Sequence, residues 1–259
     1  MTQGLSKKGT IMRINFLGCP VDSLDMQDAL ERIDEFISTG EPHQILVSNT
    51  NKLWLMRRDP RMAKIAQQAD LVVPERVLVI GAALLGKPLK SDVCGVALGK
   101  ALLPHCEKMR HSIYFLGARP AVIEGLIETV RRDYPALKIA DYHHGYFLPD
   151  GNEALLENIR RAKPDVLLVA MGSPLQEYWI SDHARELGVP VLLGVGGTFD
   201  VIAGIKKDAP PWVRKYALEW LYRLVQDPKN LWKRYSITIP WLLATFFLEG
   251  VCGLKPRKR

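Results

Sequence analysis

The sequence lacks the usual signatures of several common protein classes. Its four cysteines lie far apart, without a C-x-x-C pair or a histidine at zinc-finger spacing, so we expect neither a zinc site nor a disulfide framework. Neither G-x-G-x-x-G nor G-x-x-x-x-G-K-[ST] occurs, which removes the usual support for a dinucleotide site or a P-loop. Internal repeats and low-complexity stretches are also missing. These absences favour a globular protein with reduced thiols, as in the cytosol.

Export and membrane-spanning signals are scarce as well. Residues 1–17 hold Lys7, Lys8 and Arg13 but no apolar stretch followed by a small-residue cleavage site. We therefore expect no secretory signal and a cytoplasmic location. The uncharged run from Ile237 to Leu248 has 12 residues, whereas crossing a bilayer takes about 20.

The 259 residues, 47% hydrophobic and 24% charged, suffice for a sizeable core. Short β-rich apolar runs alternate with helical patterns, which predicts an α/β, Rossmann-like fold with a mainly parallel sheet over residues 1–205. The predicted strands are residues 12–17, 44–47, 71–73, 112–116, 165–170 and 190–194. The predicted helices are residues 24–38, 52–68, 76–85, 95–109, 120–133, 152–162, 175–187 and 198–203. The sequence leaves open whether a seam near residues 86–95 divides this core into two halves.

The basic excess of the chain is concentrated in residues 206–259. This segment holds 12 Lys and Arg against four Asp and Glu, while the whole chain has a net charge of +7. Its first part shows an apolar stripe over residues 212–225 that predicts one amphipathic helix, and a second helix starts at Asp227-Pro228. We therefore expect a helical, basic and apolar C-terminal appendage on the α/β core.

The second helix of the appendage has the features of a segment that lies on a membrane surface. Lys233 and Arg234 flank its apolar run on one side, four Lys and Arg near the C-terminus flank it on the other, and Trp232 and Trp241 mark its edges. Such flanks favour insertion into the headgroup plane of an anionic leaflet. The alternative is a helix that packs on the core or on another subunit. A core helix does not need the terminal Lys-Pro-Arg-Lys-Arg, so we favour the membrane surface.

Polar residues follow four of the predicted strands in a way that packing does not require. These segments are residues 48–51, 74–76, 171–177 and 196–200, and a fifth turn covers residues 116–120. Each turn by itself fits an ordinary tight turn or helix cap. Because ligands of open α/β sheets bind beyond the carboxyl ends of the strands, four such turns on one edge predict a binding cleft. His143 and His144 are adjacent and make a poor chelate, so we expect a loop there and no metal site.

Several motifs together resemble the WecG/TagA/CpsF family of bacterial glycosyltransferases, glycosyltransferase family 26. They are "LGARPAV", "HHGYF", "VAMGSPLQEYWI", "GVGGTFDVIAG" and "APPWVRKYALEWLYRLVQDPKNLWKRY". The resemblance runs from about residue 12 to residue 235, and its last motif is long and unusual. It implies an inverting, metal-independent transfer of a sugar from a UDP-sugar to a polyprenyl-diphosphate-linked saccharide. The reaction would occur on the inner face of the cell membrane, in cell-surface polysaccharide synthesis and without a cofactor.

The resemblance also implies roles for individual residues. The family base resembles an Asp in a Pro-Asp-Gly turn, and the matching turn here is Pro74-Glu75-Arg76, so Glu75 is the candidate base. Arg76 replaces the family glycine and can either pair with Glu75 or bind a substrate phosphate. A second departure leaves Asp92 and Ala97 where the family usually has Arg and Asp. The donor or nucleotide residues implied are Asn49, Gly117, Gly172, Ser173, Gln176, Gly196, Gly197 and Asp200. The acceptor or diphosphate residues implied are Thr50, Asn51, Arg76, Arg223 and Arg234.

Two other functions compete with an active transferase. The departures around Glu75 leave open a catalytically silent subunit that binds a sugar nucleotide within a polysaccharide assembly complex. A nucleic-acid-binding protein is disfavoured because the cationic tail carries apolar stripes in place of exposed aromatics among Lys and Arg. The apolar stripe of residues 212–225 can cover the core or join subunits. The sequence therefore leaves open whether the protein forms a homo-oligomer.

Overall fold

A six-stranded parallel sheet forms the centre of the protein. The computed structural model describes residues 11–146 and 152–252 of the chain. An antiparallel hairpin comes first, formed by β1 (Met12–Phe16) and β2 (Cys19–Ser23). The sheet strands are β3 (His43–Ser48), β4 (Leu71–Pro74), β5 (Ser112–Gly117), β6 (Lys138–His143), β7 (Val166–Ala170) and β8 (Val191–Gly194). Their order is β4-β3-β8-β7-β5-β6, and every neighbouring pair is parallel. The predicted α/β class is confirmed.

Two strands, β2 and β6, were not predicted from the sequence, each for a local reason. Strand β2 contains Pro20 and Asp22 and is joined to β1 by a tight turn at Leu17 and Gly18, both with positive φ. Strand β6 lies at the sheet edge and has no fully buried residue, so it lacks an apolar run. Neither strand therefore shows the continuous apolar pattern of a buried parallel strand.

The core helices are α1 (Met26–Thr39), α2 (Thr50–Met56), α3 (Pro60–Gln68), α4 (Arg76–Leu84), α5 (Gly95–Met109), α6 (Pro120–Asp133), α7 (Asn152–Ala162), α8 (Leu175–Leu187) and α9 (Thr198–Ile202). The prediction of one helix over residues 52–68 is wrong. That segment is divided between α2 and α3, because Asp59 caps a new helix by accepting hydrogen bonds from the amides of Arg61 and Met62, with Pro60 in the first turn.

The order of the strands determines where a ligand can bind. The chain runs outward from β3 to β4 on one side of the sheet and from β5 to β6 on the other, while β7 and β8 fill the space between. Strands β7 and β8 are completely buried. The carboxyl ends of β3, β4, β7 and β8 therefore meet at the point where the strand order reverses, which is the usual ligand crevice of open α/β sheets.

The C-terminal region is helical, as predicted, but its first part is not one helix. It consists of α10 (Pro211–Lys215), α11 (Glu219–Gln226), α12 (Pro228–Thr245) and a π-helical turn (Phe246–Val251). The break between α10 and α11 includes Ala217, whose φ of 56° belongs to the left-handed region. The expected continuous stripe does not form, because Trp212, Tyr216 and Val225 are exposed and Val213 is buried.

Helix α12 packs against the core through part of its surface. Leu242 and Trp241 join the hydrophobic cluster that contains Phe16 and Leu53, whereas Leu243 is exposed, as are residues 247 and 248 of the π-helical turn that follows. In the described ranges, no helix combines the length and the hydrophobicity needed to cross a membrane. The basic C-terminal residues Lys255, Arg257, Lys258 and Arg259, and Phe147 of the "HHGYF" motif, lie outside the described residues. The division into residues 1–205 and 206–259, and the seam near 86–95, stay predictions.

Candidate active site

A cleft of about 230 Å³ lies at the carboxyl ends of the central strands, and α11 and α12 supply part of its wall. A smaller cavity of about 40 Å³ shares five of its lining residues. The shared residues are Asn49, Glu75, Glu219, Arg223 and Arg234. Of the fourteen site residues predicted from the sequence, twelve line one or both cavities.

The predicted donor and acceptor residues separate between the two cavities. Gly172, Ser173, Gln176, Gly196 and Gly197 line the larger cleft. The smaller cavity is lined by Thr50, Asn51 and Arg76 together with the five shared residues, and aromatic rings of α11 and α12 complete it. Asn49 of the predicted donor set, and Arg223 and Arg234 of the predicted acceptor set, line both cavities. The donor and acceptor roles themselves stay predictions.

Gly117 and Asp200 line neither cavity. Gly117 has a φ of 121°, and a Cβ atom there would lie 2.5 Å from the carbonyl oxygen of Ala170, so close packing against the neighbouring strand accounts for the glycine. The carbonyl oxygen of Asp200 accepts hydrogen bonds from the amides of Ile205 and Lys206. The donor-binding roles of both residues stay predictions. Within residues 11–146 and 152–252, no three His, Cys, Asp or Glu side chains come together as metal ligands.

Glu75 lies directly after β4, where the two cavities meet. It occupies the N-cap position of α4, and its side chain makes no capping hydrogen bond. Asn49, which follows β3, caps α2 through its Oδ1 atom and donates from Nδ2 to Glu75 Oε1 at 3.4 Å. The neighbouring strands β3 and β4 thus bring the predicted base and its amide neighbour together. The half-buried carboxylate of Glu75 faces a space that a hydroxyl group can enter.

Arg76 does not pair with Glu75, which was one of two expectations for it. Its Nη1 atom lies 3.0 Å from Asp92 Oδ1. Two of the residues at which the chain departs from the family pattern therefore contact each other. The Asp92 carboxylate keeps the Arg76 guanidinium at the edge of the smaller cavity, and the expectation that it binds a substrate phosphate stays a prediction.

The side-chain amide of Gln176 connects the loops that follow β7 and β8. Its Oε1 atom accepts a hydrogen bond from the amide of Gly196 at 3.1 Å, and its Nε2 atom donates to Glu177 Oε1 at 2.7 Å. Because a backbone N–H only donates and a carboxylate only accepts, these partners determine the orientation of the amide. One N–H and one lone pair of Gln176 remain for a ligand in the cleft.

Gly194, at the end of β8, leaves the space that Gln176 occupies. A Cβ atom on Gly194 would lie 2.5 Å from Nε2 of Gln176 and 2.9 Å from its Cδ. The amide is therefore packed directly against the backbone of β8. Any larger residue at position 194 must displace it.

A buried ion pair lies beneath Gln176. Lys52 Nζ is 2.7 Å from Glu177 Oε1, and the two side chains are 4% and 1% exposed. Glu177 neutralises this lysine and also accepts a hydrogen bond from Gln176. Lys52 was missed by sequence reasoning. The signal was a lysine among the apolar residues of α2, two of which, Leu53 and Met56, are buried.

Two charged residues of α11 complete the electrostatics of the site. Glu219 and Arg223 are four residues apart, so they lie on the same face of the helix, and both line the two cavities. Burial acts to lower the pKa of Arg223, but Glu75, Tyr235 and Glu219 outweigh it and the pKa is raised. Burial, followed by the charge of Glu75, raises the pKa of Glu219. Sequence reasoning identified Arg223 and missed Glu219.

Comparisons with known proteins identify the family of this chain. A model of the glycosyl transferase WecG/TagA/CpsF family matches residues 14–255. Two similar proteins are both named N-acetylglucosaminyldiphosphoundecaprenol N-acetyl-beta-D-mannosaminyltransferase. The one from Bacillus spizizenii is 33% identical over 246 residues, which cover 92% of this chain and 93% of the relative. The one from Staphylococcus aureus strain MW2 is 30% identical over 251 residues, which cover 91% of this chain and 93% of the relative. The chain therefore belongs to the WecG/TagA/CpsF family of glycosyltransferases.

Proposed function

We propose that the protein transfers a sugar from a UDP-sugar to a polyprenyl-diphosphate-linked saccharide, with inversion at the anomeric carbon. The observation that carries this proposal is the position of Glu75 in the lining of two adjoining cavities, which between them are lined by twelve of the fourteen predicted site residues. The names of the relatives support the acceptor class, since they describe transfer of an N-acetylmannosaminyl group to N-acetylglucosamine on diphosphoundecaprenol. We propose in addition that the product serves cell-surface polysaccharide synthesis.

The chemistry assigns tasks to Glu75, Gln176 and two arginines of the site. The acceptor hydroxyl oxygen forms a bond to the anomeric carbon while the bond from that carbon to the diphosphate oxygen breaks. Glu75 takes the hydroxyl proton, and the bonding electron pair leaves with UDP. Gln176 binds a polar group of the donor through its remaining N–H and lone pair. Arg223 and Arg234 stabilise the charge that develops on the diphosphate.

Metal independence and the absence of a cofactor are parts of the proposal. The larger cleft is lined by Arg223, Arg234, Lys206 and Lys207, of which Lys206 also pairs with Asp227 at 3.0 Å. Cations of this kind stabilise a departing diphosphate in place of a divalent ion. Turnover that survives a chelator such as EDTA supports this part of the proposal. Turnover that is lost with EDTA and restored by Mg²⁺ or Mn²⁺ contradicts it.

The proposed place of action is the inner face of the cell membrane. The lipid-linked acceptor requires access to a membrane surface. The exposed apolar residues at the end of α12 and in the following π-helical turn, together with the exposed Lys233 earlier in that helix, support contact with an anionic leaflet.

A donor screen by mass spectrometry tests the function. The acceptor is a short-chain prenyl-diphosphate-linked N-acetylglucosamine, and the donors are UDP-hexoses and UDP-N-acetylhexosamines, including UDP-N-acetylmannosamine. We expect a product heavier by one sugar, and release of UDP, with at least one donor. If calorimetry detects UDP binding and no donor yields product with this acceptor, the silent-subunit hypothesis replaces the transferase.

A further inference from the structure

The smaller cavity beside Glu75 has an apolar wall, to which the proposed transfer chemistry gives no task. The wall consists of Val77 on α4, Ala217 before α11, Trp220 on α11 and Tyr235 on α12. Apolar surface in a binding cavity favours ligands that place an apolar group against it, because a polar group there loses its hydration without compensation. The wall therefore fits an apolar part of a substrate.

Two aromatic rings in this wall hold each other in place. The ring centroids of Trp220 and Tyr235 are 5.9 Å apart, with an interplanar angle of 63°, which is a favourable edge-to-face arrangement. Arg234 fixes Tyr235 further, since its Nη2 atom donates to the tyrosine hydroxyl at 3.1 Å. Tyr235 is only 8% exposed, whereas Trp220 is half-buried. Trp220 therefore offers more of its ring to a ligand than Tyr235 does.

Hydrogen-bonding and charged groups line the rest of the smaller cavity. Thr50 and Asn51, in the first turn of α2, supply a hydroxyl and an amide. Arg234 also lines the cavity, and its buried Nε atom has no hydrogen-bond acceptor among the described residues. A buried N–H without a partner is costly, and an oxygen atom of a ligand removes that cost. The remaining lining residues are Asn49, Glu75, Arg76, Glu219 and Arg223.

The volume of the smaller cavity limits what can occupy it. A cavity holds one water molecule per roughly 10–15 Å³ of this kind of volume, so about 40 Å³ takes three or four heavy atoms. A sugar ring or a prenyl chain is larger than that. An acetyl group has three heavy atoms, and an acetamido group combines an apolar methyl group with one N–H and one C=O. These are the features that the apolar wall, the polar side chains and Arg234 Nε complement.

We propose that the smaller cavity binds the N-acetyl group of the acceptor sugar and that Trp220 is the residue that selects it. The methyl group packs on the indole of Trp220, and the acetyl C=O accepts a hydrogen bond from Arg234 Nε. A hydroxyl group in place of the acetamido group leaves the apolar wall uncovered. The inference rests on the proposed function, in which the larger cleft takes the donor and the acceptor lies beside Glu75.

Transfer to three acceptors tests the inference. The acceptors are short-chain prenyl-diphosphate-linked N-acetylglucosamine, glucose and N-butanoylglucosamine. We expect the wild-type kcat/KM to be about tenfold or more higher for the N-acetyl acceptor than for either of the others, because glucose leaves the cavity unfilled and the butanoyl chain overfills it. In Trp220→Ala, the preference over glucose should shrink at least about fivefold and the N-butanoyl acceptor should become the best of the three.

Two further variants control for damage to the fold. Trp212→Ala makes the same change at a tryptophan that is 60% exposed on α10 and lines neither cavity, and its acceptor preference should equal that of the wild type. Trp220→Phe keeps an aromatic ring and should shift the preference in the same direction as Trp220→Ala by a smaller amount. If both Trp220 variants rank the three acceptors with the wild-type ratios, the inference is overturned. A change in the preference among donors alone would assign the cavity to the donor and overturn it as well.

Binding of the acceptors without donor separates this inference from the proposed function. Calorimetry should give a Kd about tenfold lower for the N-acetyl acceptor than for the glucose acceptor in the wild type and in Trp212→Ala, and nearly equal values in Trp220→Ala. Equal Kd values in the wild type contradict the inference even if the enzyme is active. Conversely, a preference that Trp220→Ala removes, in a protein without transferase activity, would leave the N-acetyl site standing and remove only the reaction.

Discussion

The ammonium group of Lys52 lies 2.7 Å from the carboxylate of Glu177, and both side chains are almost completely buried. The pair joins α2 to α8 beneath the cleft, and Glu177 also accepts the hydrogen bond that orients Gln176. Removing one member of a buried pair leaves an uncompensated charge. Removing both charges together avoids that penalty.

We therefore expect Lys52→Met to lower the free energy of unfolding by about 3–5 kcal/mol. The double variant Lys52→Met, Glu177→Gln should recover about 2 kcal/mol of this loss, because the side-chain amide introduced by Glu177→Gln can still accept a hydrogen bond from Gln176. Urea unfolding followed by circular dichroism measures both values, with the exposed Lys64→Met as the control. A double variant that is no more stable than the single one would show that the pair is not electrostatically coupled.

Gln176→Glu tests the amide that bridges Gly196 and Glu177. The new carboxylate still accepts the hydrogen bond from Gly196, but it faces the carboxylate of Glu177 and loses its N–H for the ligand. We expect the Kd for UDP or a UDP-sugar, measured by calorimetry, to rise about tenfold or more. The control is Gln67→Glu, which makes the same change on the exposed face of α3. Unchanged affinity in Gln176→Glu would remove Gln176 from the donor site.

Gly194→Ala tests the same amide by steric means. The added Cβ atom would lie 2.5 Å from Gln176 Nε2, so the amide must move out of its position. We expect a loss of about 1–3 kcal/mol in the free energy of unfolding, together with weaker donor binding. Gly125→Ala in α6 is the matched control, because its Cβ atom would find an ordinary contact at 3.7 Å and alanine favours a helix. Equal stability and affinity in both variants would contradict the packing argument.

The sequence predicted that the site residues come together at one edge of the sheet. It did not predict several of the contacts between them. Asn49, Glu75 and Gln176 each follow a recognisable apolar strand, and parallel strands place their carboxyl ends on one edge. The partner of Arg76 depends on where the loop before α5 returns, which no local pattern reveals. Likewise, the helical period over residues 212–225 conceals the turn at Ala217 that separates α10 from α11.

Charged residues that are buried were the hardest site residues to predict from the sequence. Lys52 and Glu219 are charged residues on helices, and such residues are usually solvated. Only the packing of α2 against the sheet and of α11 over the cleft buries them. In the same way, strand β6 is identified by its pairing with β5 and not by its own composition.

Membrane contact through α12 makes a separate prediction. Leu243, near the end of α12, is 65% exposed, and Phe247, in the π-helical turn that follows, is 61% exposed. The double variant Leu243→Glu, Phe247→Glu should bind vesicles rich in phosphatidylglycerol about tenfold less in a cosedimentation assay, because apolar burial is lost and negative charge is added. Met109→Glu, at the end of α5, is the control. Equal binding by wild type and double variant would place the membrane contact elsewhere.

The measurement that tests the assignment of the base most directly compares kcat of wild type and Glu75→Gln, with the lipid-linked acceptor and the donor identified by the screen. Glutamine keeps the shape of the side chain and can still accept the hydrogen bond from Asn49, so folding and UDP binding should remain as in the wild type. We expect kcat to fall about 10²- to 10⁴-fold, the usual contribution of a general base. A Glu75→Gln protein that turns over at the wild-type rate would show that Glu75 is not the base.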